Sequence, residues 1–379
     1  MNSTGSVYEG GAFINSNLFE NPFFATGRPI SEAYWATVSV GGAQTDVLIQ
    51  CFERRCLTYT PSNAPEWQVE SGNVGRHYYD WLYSPEDELD GPCPDSPAGT
   101  YIYVADQFND RIQKFDQNFE FICEWGGGEP PAGFLRPIAV DVGPDGYVYV
   151  LAQTGIHKFN YRGGFEGYID LPEHSALDFA VTSDGNFVTP SVFDSTIKVY
   201  DALGTLIDEW GAPGTEDGQF DQPWSVALDA DDRVFVVDHN NFRVQVFDAD
   251  GAFVTKFGVR GDADQNAEFS FPVGLDVDPS GGVYVVDGGY VKMFGWQGAY
   301  VPTGIWGGET EAEYAGDRAI AVQTSGKSIA YVVDNFYTHV HRFGFEFGAN
   351  GAQDLGRYGV LGSGPGDFDH PIDIAIGSR

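Results

Sequence analysis

The chain has 379 residues and carries 20 Lys and Arg against 55 Asp and Glu, a formal net charge of −35. Phosphate backbones and anionic bilayers repel such a surface, which excludes sequence-independent nucleic-acid binding and attachment to anionic lipid. Hydrophobic residues make up 42% and aromatics 15%, too many for a disordered acidic chain, and no apolar run approaches 18 residues, so no membrane insertion is expected.

Residues 1–26 form an extension rich in Gly, Asn and Ser with no clear strand pattern. Residues 1–20 lack the basic start and apolar middle of a signal peptide, so either the protein is not exported or this is the processed chain. Asn2-Ser3-Thr4 is a glycosylation sequon that matters only on export. Residues 27–83 alternate apolar positions with turn residues, as in a small β-rich module. Their runs F-E-R-R-x-L-T-Y-T-P and G-N-V-G-x-H-Y-Y are similar to a module that precedes other domains in exported bacterial proteins. That resemblance implies an extracellular or cell-surface location and no activity. Glu53, Arg54, Arg55 and His77 read as a hairpin-turn ion pair and an aromatic packing ladder rather than a site.

Four cysteines occur, Cys51, Cys56, Cys93 and Cys123. Three pairings are possible. Cys51 and Cys56 flank a tight hairpin and are expected to face each other, which leaves Cys93 for Cys123; four buried free thiols are the alternative. No Cys-x-x-Cys or nearby His suggests zinc. Residues 84–99, acidic and Pro-rich, read as a linker.

From residue 100 a repeat governs the chain. A β-branched residue followed three positions later by an aromatic recurs as Ile112/Phe115, Ile156/Phe159, Ile197/Tyr200, Val244/Phe247, Val291/Phe294 and Val340/Phe343, with steps of 41 to 49 residues. Apolar strands ending in Asp106, Asp238, Asp287 and Asp334 precede most copies. Aromatic-Gly pairs such as Trp125-Gly126 and Trp210-Gly211 follow them. Four short strands per repeat with Gly, Asp and Pro turns mean propeller blades. The first repeat lacks its first strand, while His370-Pro-Ile-Asp-Ile-Ala-Ile376 at the other end matches the first strands elsewhere. The expected fold is therefore all-β: a six-bladed β-propeller over residues 100–379 whose C-terminal strand closes the first blade, preceded by the small β-rich module.

Phe134-x-x-Pro137 and Gln219-Phe220-x-x-Pro223, with the D-x-x-N-x-R-[IV] runs Asp106/Asn109/Arg111 and Asp238/Asn241/Arg243, resemble NHL repeats. The resemblance is strong in blades 1 and 4 and degraded in blade 3, where Asp-Ser-Thr replaces Asn-x-Arg. It implies that Asp106 pairs with Arg111 and Asp238 with Arg243 inside a blade, in structural roles.

Few patterns point to chemistry. An axial metal centre needs ligands at equivalent positions of several blades, but the positions before the first strands hold Arg136, Gln222, Phe271 and His370. His157 and His341 fall in third strands, away from the axis; His239 and His339 follow strand-ending aspartates and are expected in solvated loops. Asp276, Asp278 and Asp287 fit an EF-hand spacing, yet β-strands flank them and the segment reads as a turn, with a weak surface Ca²⁺ as the residual possibility. The Gly-rich runs at 126–128 and 362–366 precede no helix and read as connections. No G-x-S-x-G or H-E-x-x-H occurs. The expected function is a non-catalytic extracellular scaffold, without catalytic residues or cofactor, that self-associates into a ring, filament or cell-surface assembly. Its alternatives are a propeller that binds a distinct protein or glycan partner, and a calcium-dependent lactonase- or lyase-like enzyme.

Overall fold

The computed structural model describes residues 91–94 and 98–378, apart from 128–132, 154, 172–175, 263–266, 308–316, 325–327 and 346–351, together with the backbone strands of residues 1–90. Glu53, Arg54, Arg55, His77, His174, the sequon's Asn2 and most of the 84–99 linker lie outside the described residues. The chain divides into two compact units, 1–89 and 90–379.

The first unit holds a four-stranded antiparallel sheet in chain order, Tyr34–Val40, Ala43–Cys51, Cys56–Tyr59 and Val69–Ser71. Cys51 and Cys56 are cross-strand partners at a hairpin end. The extension departs from expectation, because Thr4–Glu9 pairs antiparallel with Ala12–Asn17. The signal was Gly10-Gly11 between two apolar pairs, Val7-Tyr8 and Phe13-Ile14, a two-residue hairpin pattern hidden by the polar composition.

The second unit holds six four-stranded antiparallel sheets and one short parallel pair, Val259–Arg260 with Glu268–Phe269. Blades 2 to 6 take their strands in chain order, beginning with the inner strands Ala139–Val142, Ala180–Val181, Pro223–Leu228, Pro272–Val277 and Asp317–Gln323. In blade 1 the inner strand is the chain's last, Pro371–Ser378, which pairs with Thr100–Asp106 from Pro371 opposite Asp106 to Ser378 opposite Thr100. The six inner strands touch one another in cyclic order, Pro371–Ser378 lying between those of blades 6 and 2. The ring is closed and has no free end.

Apolar cores fill the seams between blades. At the closing seam Ile102, Val104 and Phe115 of blade 1 meet Tyr331 and Val333 of blade 6, with Phe368 and Ile374 between them. Each such side chain, fully buried, stabilises the fold by about 1.5–3 kcal/mol. The aromatic-Gly pairs have a steric reason. Gly126, Gly211, Gly258 and Gly359 have φ of +130°, +95°, +94° and +91°, and a Cβ on any of them would sit against the ring of Phe134, Phe220, Phe269 or Phe368. Those four rings are the buried aromatics of the Phe-x-x-Pro runs. Glycine is required twice over, by conformation and by space.

Cys93 and Cys123 form a disulfide with Cα atoms 5.4 Å apart. The Cys93 amide donates to the Arg162 carbonyl at 3.0 Å, and Arg162 Nε donates to the Cys93 carbonyl at 2.9 Å. The last part of the expected linker thus belongs to the propeller unit, tied to blades 1 and 2. Closing a 30-residue loop stabilises by about 3–4 kcal/mol through the unfolded chain.

Deletion of residues 367–379 removes the inner strand of blade 1 together with Phe368 and Ile374. The truncated chain is expected to lose its cooperative thermal transition. A cooperative melt at the parent temperature, followed by circular dichroism, would disprove closure by this strand.

Candidate functional site

The residues singled out in the sequence mostly hold the blades together. Asp106 accepts from Arg111 Nε at 2.8 Å, Asn109 Nδ2 at 2.9 Å and the Asp369 amide at 2.8 Å. Arg111 continues to the carbonyls of Gly364 and Asp367 at 3.0 and 2.8 Å, which pins the connection that leads into the inner strand. Blade 4 repeats this arrangement, with Arg243 Nε 2.7 Å from Asp238 and its guanidinium on the carbonyls of Thr215, Glu216 and Gln219. In blade 5 the loop after Asp287 is two residues shorter, and Lys292, at the register position of Gln245, reaches Asp287 at 2.8 Å. In blade 6 His339 and His341 hold the positions of the Arg and the Gln, their Nε2 atoms in contact, near the buried Asp334.

Asp276, Asp278 and Asp287 do not converge. Asp278 caps its turn, accepting from Ser280 N at 2.7 Å, Gly282 N at 3.0 Å and Tyr284 Oη at 2.8 Å. Asp287 lies opposite Pro272, four residues from Asp276 along the sheet, or about 13 Å. His239 and His339, expected in solvent, are buried. His239 stacks on Trp224 with centroids 3.7 Å apart, and its Nδ1 lies 2.7 Å from the Pro272 carbonyl. His339 opens a third strand rather than a loop.

The site that sequence reading missed is the axial channel, a cavity of about 660 Å³ whose lining includes Asp141, Asp178, Ser225, Asp276, Asp373 and Arg318. An innermost strand has no sheet neighbour on its channel side, so its outward amides need other acceptors. The preceding blade supplies them. Asp373 of blade 1 accepts from Val140 N of blade 2 at 2.8 Å, and Asp141 of blade 2 from Val181 N of blade 3 at 2.9 Å. Asp178 accepts from Ser225 Oγ and Val226 N of blade 4 at 2.7 and 3.0 Å. Ser225 Oγ accepts from Leu275 N of blade 5 at 3.3 Å, and Asp276 from Val322 N of blade 6 at 2.7 Å. In strand register these acceptors form two layers, Asp373, Asp178 and Ser225 in one, Asp141 and Asp276 in the other. Acids inside otherwise apolar inner strands (I-A-V-D-V, V-G-L-D-V, I-D-I-A-I) were the available signal.

Burial dominates the electrostatics of the channel. It pushes the carboxyls of Asp141 and Asp178 up to about 6 and that of Asp276 to about 7, against the amides that favour the ionised form; the Asp141 charge also acts on Asp276 from the opposite blade. Asp373 is raised well above the ordinary carboxylate range by burial and by Asp178. A carboxyl near 7 can exchange protons at neutral pH. Its oxygens here are committed to blade joints, and the Ser225 hydroxyl donates to Asp178 while it accepts from Leu275.

The mouth of the channel lies where the inner strands begin. Arg136, Gln222 and His370, each directly before a proline, have φ of +51°, +57° and +59°, a conformation that costs roughly 1–2 kcal/mol per residue. The Phe108 ring stacks on His370 at 4.5 Å, and the Arg136 guanidinium lies 5.3 Å from its centroid. Arg318 lies 5.5 Å from the Trp224 ring centroid, and Phe271 packs edge-on against both Trp224 and His239. Burial first, and the Arg318 charge second, hold His239 and His370 below the ordinary histidine range, so both are neutral at pH 7.

The four raised carboxyls fix the sign of the pH dependence. Protonation is favoured in the folded state, so the contribution of Asp141, Asp178 and Asp276 is fully present below about pH 4 and lost as pH rises through 6 to 7, and Asp373 acts in the same direction. Melting temperature is expected to fall between pH 5 and 8. Asp276→Asn should flatten that fall by an amount on the order of a few kcal/mol, at some cost at pH 5, where the Val277 amide loses its acceptor. Equal pH slopes for parent and variant would contradict the assignment.

Comparison with known proteins places this geometry. A streptogramin B lyase structure superimposes with a TM-score of 0.50 at 17% identity, over 76% of this chain and 90% of that one. A putative 6-phosphogluconolactonase from Bacteroides fragilis gives 0.51 at 12% identity, over 75% and 99%. Virginiamycin B lyase from Staphylococcus aureus gives 0.48 at 15% identity, over 71% and 85%. At these identities the likeness is one of fold. Residues 220–247, which span the inner, second and third strands of blade 4, match the NHL repeat family model. The second unit of this chain is a six-bladed β-propeller that carries an NHL repeat.

Proposed function

We propose that this protein is a non-catalytic scaffold whose contact surface is the propeller face around the channel mouth, and that a second copy of the chain is what docks there. The observation that carries this reading is the distribution of exposed aromatics. In each blade the inner strand starts, and the second and outer strands end, at this face, so second-to-third loops and blade-to-blade connections all open onto it. Phe108 (48% exposed), Phe193 (86%), Phe271 (52%) and Phe336 (70%) stand on these loops, contributed by blades 1, 3, 5 and 6. Leu135 and Leu177 are exposed on the same connections. Scattered exposed apolar residues need no explanation, but several on one face mark an interaction surface.

Copies that each carry −35 repel at low ionic strength, and only neutral, aromatic surface of this kind lets them touch. The Cys93–Cys123 disulfide supports an oxidising, extracellular setting. The carboxylates and hydroxyl of the channel serve the blade joints, which supports the non-catalytic reading over hydrolysis or elimination.

Sedimentation velocity across 0.05 to 1 M salt tests the proposal. The parent is expected to associate as salt screens the charge, and Phe193→Ser with Phe336→Ser to stay monomeric at an unchanged melting temperature. A parent that is monomeric at every salt concentration, or a double variant that associates equally, would refute self-association through this face.

A further inference from the structure

We propose that Arg318 anchors a carboxylate-binding site at the centre of the channel mouth, for a ligand that bears a carboxylate on a small apolar body. The inference goes beyond self-association and does not depend on it. Arg318 is the second residue of the blade 6 inner strand, Asp317–Gln323. Gly274 of blade 5 lets that strand approach, because a Cβ there would collide with the Arg318 carbonyl. The guanidinium thereby reaches the cavity lining beside Trp224.

Most other partly or fully buried cations of the propeller have anionic or carbonyl partners; among the described residues the exception is Arg342, whose buried Nε lacks one and whose guanidinium lies near the Tyr331 ring. Arg111 and Arg243 hold aspartates and carbonyls, Lys292 holds Asp287, Lys198 holds Asp194 and Lys114 the Tyr161 carbonyl. Among the described residues Arg318 has no ion pair and no hydrogen bond, and its one polar contact is the Trp224 ring. This occurs in a chain with 55 acidic residues. Burial works against the Arg318 charge, and a guanidinium does not escape by losing its proton at physiological pH. Its planar donor fork opens on the cavity without a protein partner among the described residues, and a carboxylate fits such a fork with two parallel hydrogen bonds.

The surroundings define the rest of the ligand. Arg136, at the start of the blade 2 inner strand, adds a second positive charge on this face, held over Phe108. Burial and the Arg318 charge keep His239 and His370 neutral, so neither adds a competing charge near Arg318. The half-exposed Phe271 and the apolar Val273 and Leu177 give the body of the ligand its contact surface. The aspartates deeper in the channel repel a second negative charge, which favours a monocarboxylate.

Phenylacetate and its neutral amide, phenylacetamide, test the site at 0.15 M salt, with tryptophan fluorescence as readout because Arg318 lies over Trp224. Phenylacetate is expected to quench saturably and phenylacetamide to bind at least tenfold more weakly. Arg318→Gln should lose at least tenfold in phenylacetate affinity, and Arg318→Lys should retain part of it. Equal binding of acid and amide by the parent, or no saturable response to phenylacetate, overturns the proposal without recourse to any variant. Equal affinity in a folded Arg318→Gln overturns it as well. If phenylacetate also disperses the salt-induced association, the natural carboxylate is an Asp or Glu of a second copy. If association survives saturation, it is a free solute, and both results support the site. A parent that never associates yet binds phenylacetate removes self-association and leaves Arg318 in its role.

Discussion

The hydrogen bond from an inner-strand amide to an aspartate of the preceding blade is the interaction on which this propeller depends. A ring of sheets abolishes outer ends, but six inner edges still face the axis with unpaired amides. Hydrophobic seams hold neighbouring blades together without fixing how far one slides along the next, since apolar contact is not directional. A carboxylate that bridges its own strand and the next blade's strand does fix it. Asp141 and Asp276 each accept from the following residue and from the neighbouring blade, at 2.7 and 2.9 Å and at 2.7 and 2.7 Å. The same function buries four carboxyls around the axis, and that burial first, with their mutual repulsion second, is why these groups hold their protons above the usual range.

The mouth shows the counterpart of that arrangement. Positive groups, Arg318 and Arg136, gather where the channel opens, each beside an aromatic ring, Trp224 and Phe108. The left-handed backbone at Arg136, Gln222 and His370 aims these residues at the rim from a position where the following proline fixes the start of the strand. Strained residues that surround an unmatched guanidinium fit a recognition surface better than a packing accident.

Much of the fold was legible because its signals repeat. The β-branched/aromatic spacing, the aromatic-Gly pairs and the Phe-x-x-Pro runs each appear several times, and the incomplete first repeat pointed to the closing C-terminal strand. The pairing of Cys93 with Cys123 followed from elimination once Cys51 and Cys56 flanked one hairpin. The channel was not legible for the opposite reason. Asp141, Asp178, Asp276 and Asp373 fall in two different register positions of four different blades, so no single column of the repeat is acidic. His239 was misjudged because its neighbour Asp238 marks a loop start, while the stacking partner that buries it, Trp224, comes from the inner strand of the same blade. Arg318 sits in an atypical repeat whose inner strand lacks the proline seen in blades 4, 5 and 1.

The Cys93–Cys123 link has a mechanical consequence. Tension applied to the chain ahead of Cys93 meets the disulfide before it meets Thr100–Asp106. There the disulfide diverts it into Phe121–Gly126, the outer strand of blade 1. The covalent bypass shields Thr100–Asp106, the strand to which the closing C-terminal segment is zipped. A pull from the first unit therefore loads the rim of one blade and leaves the ring's single non-covalent clasp slack.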